Sequence, residues 1–218
     1  MIASMSAFLA KKVENIRGKP TPQCATVAGS IAAVQAVPCA APVHLGGTRI
    51  IKAAGAARGV EITTVFASHD SRVSHELLTE AQQKIIAPDN LNINLDPPTG
   101  YVVKFTNGLR VYLSGDTGVH SEMQTIIRAF HQPNLVLMNL GLSATRPESA
   151  AFAINELVRP AAVIVSHVNE AASSGGVILA NTYTKAFIDQ VKGRPVYLGI
   201  SGRTLEFDGS GTCMAGGC

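Results

Sequence analysis

Short apolar runs alternate with helix-like patterns along most of this chain. Val60–Ala67 alternates between apolar and polar positions and is rich in β-branched residues, which predicts a strand. Glu148–Val158 places its apolar residues on one helical face and follows Pro147, a residue suited to a first helical turn. Ala161–Val165 is a short apolar run typical of a buried strand. The alternation of strands and helices predicts an α/β fold with a mixed sheet.

The same patterns place the remaining elements. Asn107-Gly108 between two strand-like runs predicts a hairpin with a type I′ turn. Further strands are predicted at Tyr101–Phe105, Leu109–Leu113, Asn134–Asn139, Pro195–Leu198 and Thr204–Phe207. Further helices are predicted at Met5–Arg17, Thr26–Gln35, Leu77–Ile86, Ser121–Phe130 and Thr182–Val191. The sequence contains no evident internal repeat.

Composition excludes several classes of protein. Of the 218 residues, 46% are hydrophobic and 15% are charged, which excludes a disordered chain. The net charge of +3 is too small to indicate a nucleic-acid surface, and no apolar run reaches the length of a membrane span. Lys11 and Lys12 follow the apolar start instead of preceding it, which argues against a signal peptide. We therefore expect a cytoplasmic protein, or a periplasmic one if the true N-terminus lies upstream.

Four cysteines are present, and their positions allow two interpretations. Cys213 and Cys218 lie five residues apart in a glycine-rich tail and are spaced to close a small disulfide loop. Cys24 and Cys39 lie among alanines and valines and equally suit small buried hydrophobic positions. We expect a structural or incidental role for all four.

Three polar residues each lie just past the end of a predicted buried strand: His69, Asp116 and His167. Ligands of α/β proteins bind at the carboxyl ends of strands, so these side chains are candidates for one crevice. Two imidazoles and a carboxylate offer the donors that Zn²⁺, Mn²⁺ or Fe²⁺ accept. Each residue alone also fits a hydrogen-bonding loop position, and Asp116 between glycines fits a tight turn in which it bonds its own backbone.

On these residues the chain resembles the metallo-β-lactamase-fold hydrolase superfamily. From about Gly46 to Gly209 the resembling stretches are GVEITTVFASHDS, NGLRVYLSGDTG, PNLVLMNLG, PESAAFAINELVRPAAVIVSHVNE and SGRTLEFDG. The resemblance implies an αββα sandwich over residues 46–209, an Ala/Pro-rich segment 1–45 packing on it, and a Gly/Cys-rich tail 210–218. It also implies that His69, Asp116 and His167 are metal ligands, with Asp116 bridging two ions and taking part in catalysis.

One departure from the family pattern limits what the resemblance implies. The superfamily's His-x-His-x-Asp-His motif has no counterpart, since no two histidines here are two residues apart. The sandwich is therefore expected to be N-terminally truncated or altered, with about half of a two-metal site. His44 and His120 are additional candidate ligands, although His120 equally suits a solvent-facing position at a helix start. Asn169-Glu170, just beyond His167, suits binding of the substrate or orientation of that histidine, and equally suits capping of the next segment.

Two functional hypotheses follow. The first is a hydrolase holding one or two zinc ions, or Mn or Fe, in which a metal-bound hydroxide attacks a small-molecule ester, lactone, β-lactam or phosphoester. The second is a catalytically impaired or truncated superfamily member that acts as a non-enzymatic binding domain. A serine hydrolase and a Rossmann-type nucleotide binder are disfavoured, because neither glycine motif occurs at a suitable junction. We expect no nucleic-acid or membrane partner, and homo-oligomers if an early sheet face is left uncovered.

Overall fold

One seven-stranded sheet organises the described part of the chain. The computed structural model describes residues 43–52, 54–94, 97–141 and 144–218. The strands of the sheet span Thr48–Ile51 (β1), Val60–Phe66 (β2), Thr99–Lys104 (β3), Arg110–Leu113 (β4), Leu135–Asn139 (β5), Ala162–Ser166 (β6) and Val196–Leu198 (β9). Their order across the sheet is β1-β2-β3-β4-β5-β6-β9. Two small hairpins complete the strands, with Ser173–Ser174 (β7) paired to Val177–Ile178 (β8), and Glu206–Phe207 (β10) paired to Cys213–Ala215 (β11).

The directions of the strands decide where their ends meet. β1 to β4 pair antiparallel in sequence order, and β4, β5, β6 and β9 pair parallel. Consequently β2, β4, β5 and β6 all run in the same direction, although β3 separates β2 from β4. Their carboxyl ends lie along one edge of the sheet, which is the edge where ligands bind in α/β proteins.

The described residues form five helices, and all but the first of them contribute to the main core on one face of this sheet. They are Glu80–Ile86 (α1), Met123–His131 (α2), Pro147–Phe152 (α3), which continues directly into Ala153–Val158 (α4), and Tyr183–Gln190 (α5). Short 3₁₀ turns occupy His75–Leu77 and Ala87–Asp89. The core residues are almost fully buried and come from both layers, for example Tyr112 and Val136 from the sheet and Ile127, Ile154 and Phe187 from the helices. No helix among the described residues is long and apolar enough to cross a membrane.

The opposite face of the sheet carries a smaller apolar cluster built on Val111, Leu135 and Ala162. The β10–β11 hairpin contributes to it through Phe207, whose ring lies edge-on to Tyr197 with centroids 5.5 Å apart. A disulfide joins Cys213, the first residue of β11, to Cys218 just beyond the hairpin, at the two positions that the sequence spacing indicates. The described residues thus supply one large sheet of the expected αββα sandwich.

Most predicted elements are present within a few residues of their expected bounds, and the α/β class with a mixed sheet is confirmed. The prediction of a type I′ turn at Asn107-Gly108 is wrong. Gly108 N donates to Phe105 O and Phe105 N donates to Leu109 O, so the loop has three residues. Only Gly108 has a positive φ, 98°, which makes it the left-handed residue of that loop. The predicted helices Met5–Arg17 and Thr26–Gln35 lie outside the described residues.

Candidate metal centre

The three predicted ligand residues meet at the carboxyl edge of the sheet. Asp116 Oδ2 lies 3.1 Å from His69 Nε2 and 3.3 Å from His167 Nε2. Asp116 follows the central strand β4, while the histidines follow β2 and β6, each two strands away on opposite sides. All three side chains are partly exposed, with 20% to 31% of their surface accessible. The cluster is therefore open to a ligand from solvent.

Hydrogen bonds of Thr117 and Gly118 hold two of these loops together. Thr117 Oγ1 accepts a hydrogen bond from Ser68 N at 2.8 Å and donates to Gly118 O at 2.8 Å. Gly118 N in turn donates to Ser68 O at 2.8 Å. Since Thr117 is fully buried, these bonds fix the loop that carries His69 against the loop that carries Asp116.

The His69 ring is oriented by the backbone of the following residue. Its Nδ1 lies 2.7 Å from Asp70 O, and because a carbonyl oxygen only accepts, Nδ1 carries a proton. In the neutral ring the Nε2 lone pair then points at Asp116 Oδ2. Two acceptors at this separation repel each other unless a proton or a cation lies between them. The contact therefore favours a positive charge at this point.

His167 is held in a conformation that needs a glycine beside it. Its backbone has φ of 52°, in the left-handed region, and its Nδ1 is buried with no hydrogen-bond partner among the described groups. A Cβ on Gly141 would lie only 3.0 Å from that Nδ1 and 3.2 Å from Cε1. The absence of a side chain at Gly141 thus leaves the space that the imidazole occupies.

The second oxygen of Asp116 is also bound. Asn139, at the end of β5, donates from Nδ2 to Asp116 Oδ1 at 3.1 Å. Asn139, Thr117 and Gly141 are site residues that the strand-end argument did not single out. Asn139 carries the same signal as the predicted ligands, since it is a polar residue at the end of an apolar run, whereas the need for Gly141 appears only in three dimensions.

The donor types of this cluster suit a divalent cation, but their arrangement in this structure does not hold one. Two ligands of one tetrahedral zinc, bound at about 2.0–2.2 Å, are separated by about 3.3–3.6 Å, close to the 3.1 Å and 3.3 Å between Asp116 Oδ2 and the two rings. Both histidine rings contact Asp116 directly. In the described ranges, no group of three or more His, Cys, Asp or Glu side chains is arranged so that it could hold a metal ion. The residues therefore suit a metal by their chemistry and proximity only.

The other candidate ligands, His120 and His44, make contacts of a different kind. The His120 ring stands edge-on to Phe66 with centroids 5.2 Å apart, and neither ring nitrogen has a hydrogen-bond partner within the described part of the chain. Burial lowers the pKa of His120 and favours its neutral ring. His44 is exposed, and its backbone carbonyl accepts from the Thr64 hydroxyl. No contact described above connects either histidine to Asp116.

Glu170 caps a helix. Its carboxylate accepts from Tyr183 N at 3.0 Å and from Thr184 N at 2.8 Å, at the first turn of α5. A carboxylate at a helix N-terminus satisfies free N–H groups and interacts favourably with the helix dipole. The capping interpretation therefore accounts for Glu170, and it ties the segment after His167 to α5.

A mixed α/β sheet with a His/Asp cluster at its carboxyl edge is consistent with the metal-dependent hydrolases that the sequence resembles. No family model matches the chain. Curated relatives described as UPF0173 metal-dependent hydrolases are similar in sequence. The relative from Cupriavidus taiwanensis is 34% identical over 119 residues, which cover 54% of this chain and 39% of that protein. The relative from Polynucleobacter asymbioticus is 32% identical over 122 residues, covering 55% and 40%.

These relatives confirm the resemblance to metal-dependent hydrolases, and their description implies a metal cofactor in that group. A relative from Chloroflexus aurantiacus is 44% identical over 63 residues, covering 28% of this chain and 26% of its own. The chain spans about two fifths of the length of the first two relatives.

Solved structures share the fold. The CmlA β-hydroxylase superposes with a TM-score of 0.51 at 11% identity, covering 78% of this chain and 35% of that one. The metallo hydrolase Igni18 from Ignicoccus hospitalis has a TM-score of 0.47 at 25% identity, covering 73% and 57%. The metallo-β-lactamase-fold protein YhfI from Bacillus subtilis has a TM-score of 0.42 at 10% identity, covering 71% of this chain and 51% of its own. The likeness to the CmlA β-hydroxylase is one of fold.

Proposed function

We propose that this protein is a metal-dependent hydrolase whose metal is held by His69, Asp116 and His167. The observation that carries the proposal is the convergence of both imidazole Nε2 atoms on one carboxylate oxygen, at 3.1 Å and 3.3 Å. In its neutral form the His69 ring presents a lone pair to that oxygen, an arrangement that a bound cation would stabilise. The sequence similarity to metal-dependent hydrolases supports the same function.

In this proposal each residue has a defined role. The histidines bind through Nε2, and Asp116 Oδ2, which faces both rings, is the oxygen placed to be shared between them. A divalent ion held there by these three residues would supply Lewis acidity for activating water and for polarising the bond to be cleaved. Two nitrogen donors and one oxygen donor suit zinc, and manganese and iron accept the same set.

Metal content tests the proposal directly. Protein purified without added metal, then incubated with zinc and desalted, should retain about one or two equivalents by elemental analysis. Asp116→Asn removes the negative charge shared by both histidines and should lose the metal. Asp189→Asn is a matched control, because Asp189 pairs with Lys185 on the surface of α5, away from the cluster. Retention of metal by Asp116→Asn, or no binding by the parent protein, would contradict the proposal.

The substrate class proposed is a small molecule with an ester, lactone, β-lactam or phosphoester bond. The partial exposure of all three ligand side chains supports access from solvent. Hydrolysis of a panel of such compounds should be abolished by a chelator and restored by added zinc. Turnover that survives chelation would exclude the metal mechanism.

Sedimentation of the same samples tests the accompanying expectation of a homo-oligomer.

A second candidate function is a non-enzymatic binding domain with an impaired centre. The observation that favours it is the arrangement of the cluster, since both histidines contact Asp116 directly and no three ligand-type side chains in the described part of the chain are arranged to hold a metal. In that case His69→Ala and His167→Ala should change neither metal content nor turnover. A loss of bound metal in either variant would exclude this alternative.

A further inference from the structure

Asn139 is a buried amide at the end of an apolar strand. Only 1% of its surface is accessible, and the strand residues before it, from Leu135 to Met138, are apolar. Burial of a primary amide is unfavourable unless its donors and acceptor are hydrogen-bonded. Its position is therefore explained only by the partners it binds.

Those partners satisfy both donor hydrogens of the side chain. Nδ2 donates to Asp116 Oδ1 at 3.1 Å and to Thr145 Oγ1 at 3.3 Å. Oδ1 lies 3.2 Å from Ser114 Oγ, whose single hydrogen also faces Gly115 O at 2.8 Å. The Asn139 backbone N–H donates to the same hydroxyl oxygen at 3.0 Å. Ser114 and Thr145 are themselves buried, so this side of the network is shielded from water.

The partners also fix which way the amide points. The Thr145 hydroxyl donates its single hydrogen to Thr117 O and must therefore accept from Asn139. The Asp116 carboxylate only accepts. Both contacts require the NH₂ end of the amide, so a flipped Asn139 would place its oxygen against two acceptors.

We propose that Asn139 is a positioning residue that occupies Asp116 Oδ1 so that Oδ2 alone faces His69 and His167. Asp116 lies in a loop between Gly115 and Thr117, and a carboxylate without this bond is free to turn about its terminal torsion. Asn139 removes that freedom with a neutral donor, and thus without neutralising the charge that a cation needs. The inference rests on the proposed metal function and assigns it a residue beyond the ligands.

The test compares two asparagines at opposite ends of β5. Asn139→Leu removes the donor to Asp116. Asn134→Leu is the matched control, because Asn134 also bonds through its side chain, accepting from Arg110 N and donating to Gly209 O, both at 2.9 Å, away from the cluster. Co²⁺ replaces zinc as a probe, since its visible absorption reports the geometry of the ligands. Asn139→Ser serves as a second variant in case the leucine variant does not fold.

Loss of an outer partner of a metal ligand weakens metal binding by about 10- to 100-fold. Asn139→Leu and Asn139→Ser should therefore bind Co²⁺ about 10- to 100-fold more weakly with an altered absorption spectrum. Asn134→Leu should keep the parental affinity and spectrum even where its resistance to urea falls. Parental Co²⁺ affinity and spectrum in both Asn139 variants would overturn the inference, as would equal losses in Asn134→Leu.

Failure of the proposed function would look different, because the parent protein itself would then bind no Co²⁺. In that event the positioning role of Asn139 is tested on the metal-free protein. At a fixed pH, the histidine side-chain ¹H–¹⁵N spectrum should shift at His69 and His167 in Asn139→Leu and not in Asn134→Leu. Unchanged histidine signals would overturn the positioning role.

Discussion

Gly141→Ala is a one-carbon change whose effect on the metal centre follows from the structure. The new Cβ would lie 3.0 Å from His167 Nδ1, whereas ordinary contacts begin at 3.4 Å, so the ring must retreat by about 0.4 Å. The ring has little freedom to do so, because His167 has a left-handed backbone with φ of 52°. Metal sites hold their ligand distances to within about 0.2 Å. We expect zinc affinity to fall about tenfold, equivalent to about 1.4 kcal/mol.

Gly118→Ala provides the matched control for this prediction. Its Cβ would meet Ala144 O at 3.4 Å and Ser68 O at 3.6 Å, which are ordinary contacts in the loop next to Asp116. Neither glycine has a left-handed φ, so alanine is compatible with both backbones. Zinc affinity is measured by competition with a chromophoric chelator. Parental affinity in Gly141→Ala, or an equal loss in Gly118→Ala, would refute the steric reasoning.

Three further predictions concern stability, each measured by urea unfolding. Glu170→Ala should lower the free energy of unfolding by about 1 kcal/mol, because α5 loses the cap at its first turn. Burial, reinforced by the charge of Lys104, lowers the pKa of His131, so the unfolded chain binds a proton more readily. Stability should therefore fall as the pH drops below about 6.5, and His131→Leu should flatten that decline. Serine at both Cys213 and Cys218 should cost about 2 kcal/mol at most, since the disulfide closes a short loop, and should leave metal binding unchanged.

The convergence of the ligand residues was predictable from the sequence because strand direction is encoded locally. A hairpin reverses the chain between β3 and β4, and helical connections return it parallel before β5 and β6. The residues that follow β2, β4 and β6 must therefore meet at the same edge. This prediction from strand direction needs no knowledge of side-chain contacts. For that reason it could group His69, Asp116 and His167 from the sequence alone.

The supporting residues were not predictable, because their roles depend on contacts between distant segments. Asn139 bonds to Asp116 across 23 positions in the sequence, and Gly141 is required by a ring 26 positions away. His120 and Asp116 are close in sequence, yet the His120 ring turns to Phe66. The packing of residues 1–45 on the domain stays a prediction, since nearly all of that segment lies outside the described residues.

The cluster has a thermodynamic consequence for the whole fold. With a neutral His69 ring, the lone pair of Nε2 faces a carboxylate oxygen, and that contact opposes folding unless Nε2 takes up a proton. His167 Nδ1 is buried without a hydrogen-bond partner among the described groups, which also opposes folding. On the proposed function, a cation bound only by the folded state would add about 2.7 kcal/mol to its stability when the cation concentration is 100 times the dissociation constant. The proposed function therefore predicts a fold that a bound cation stabilises.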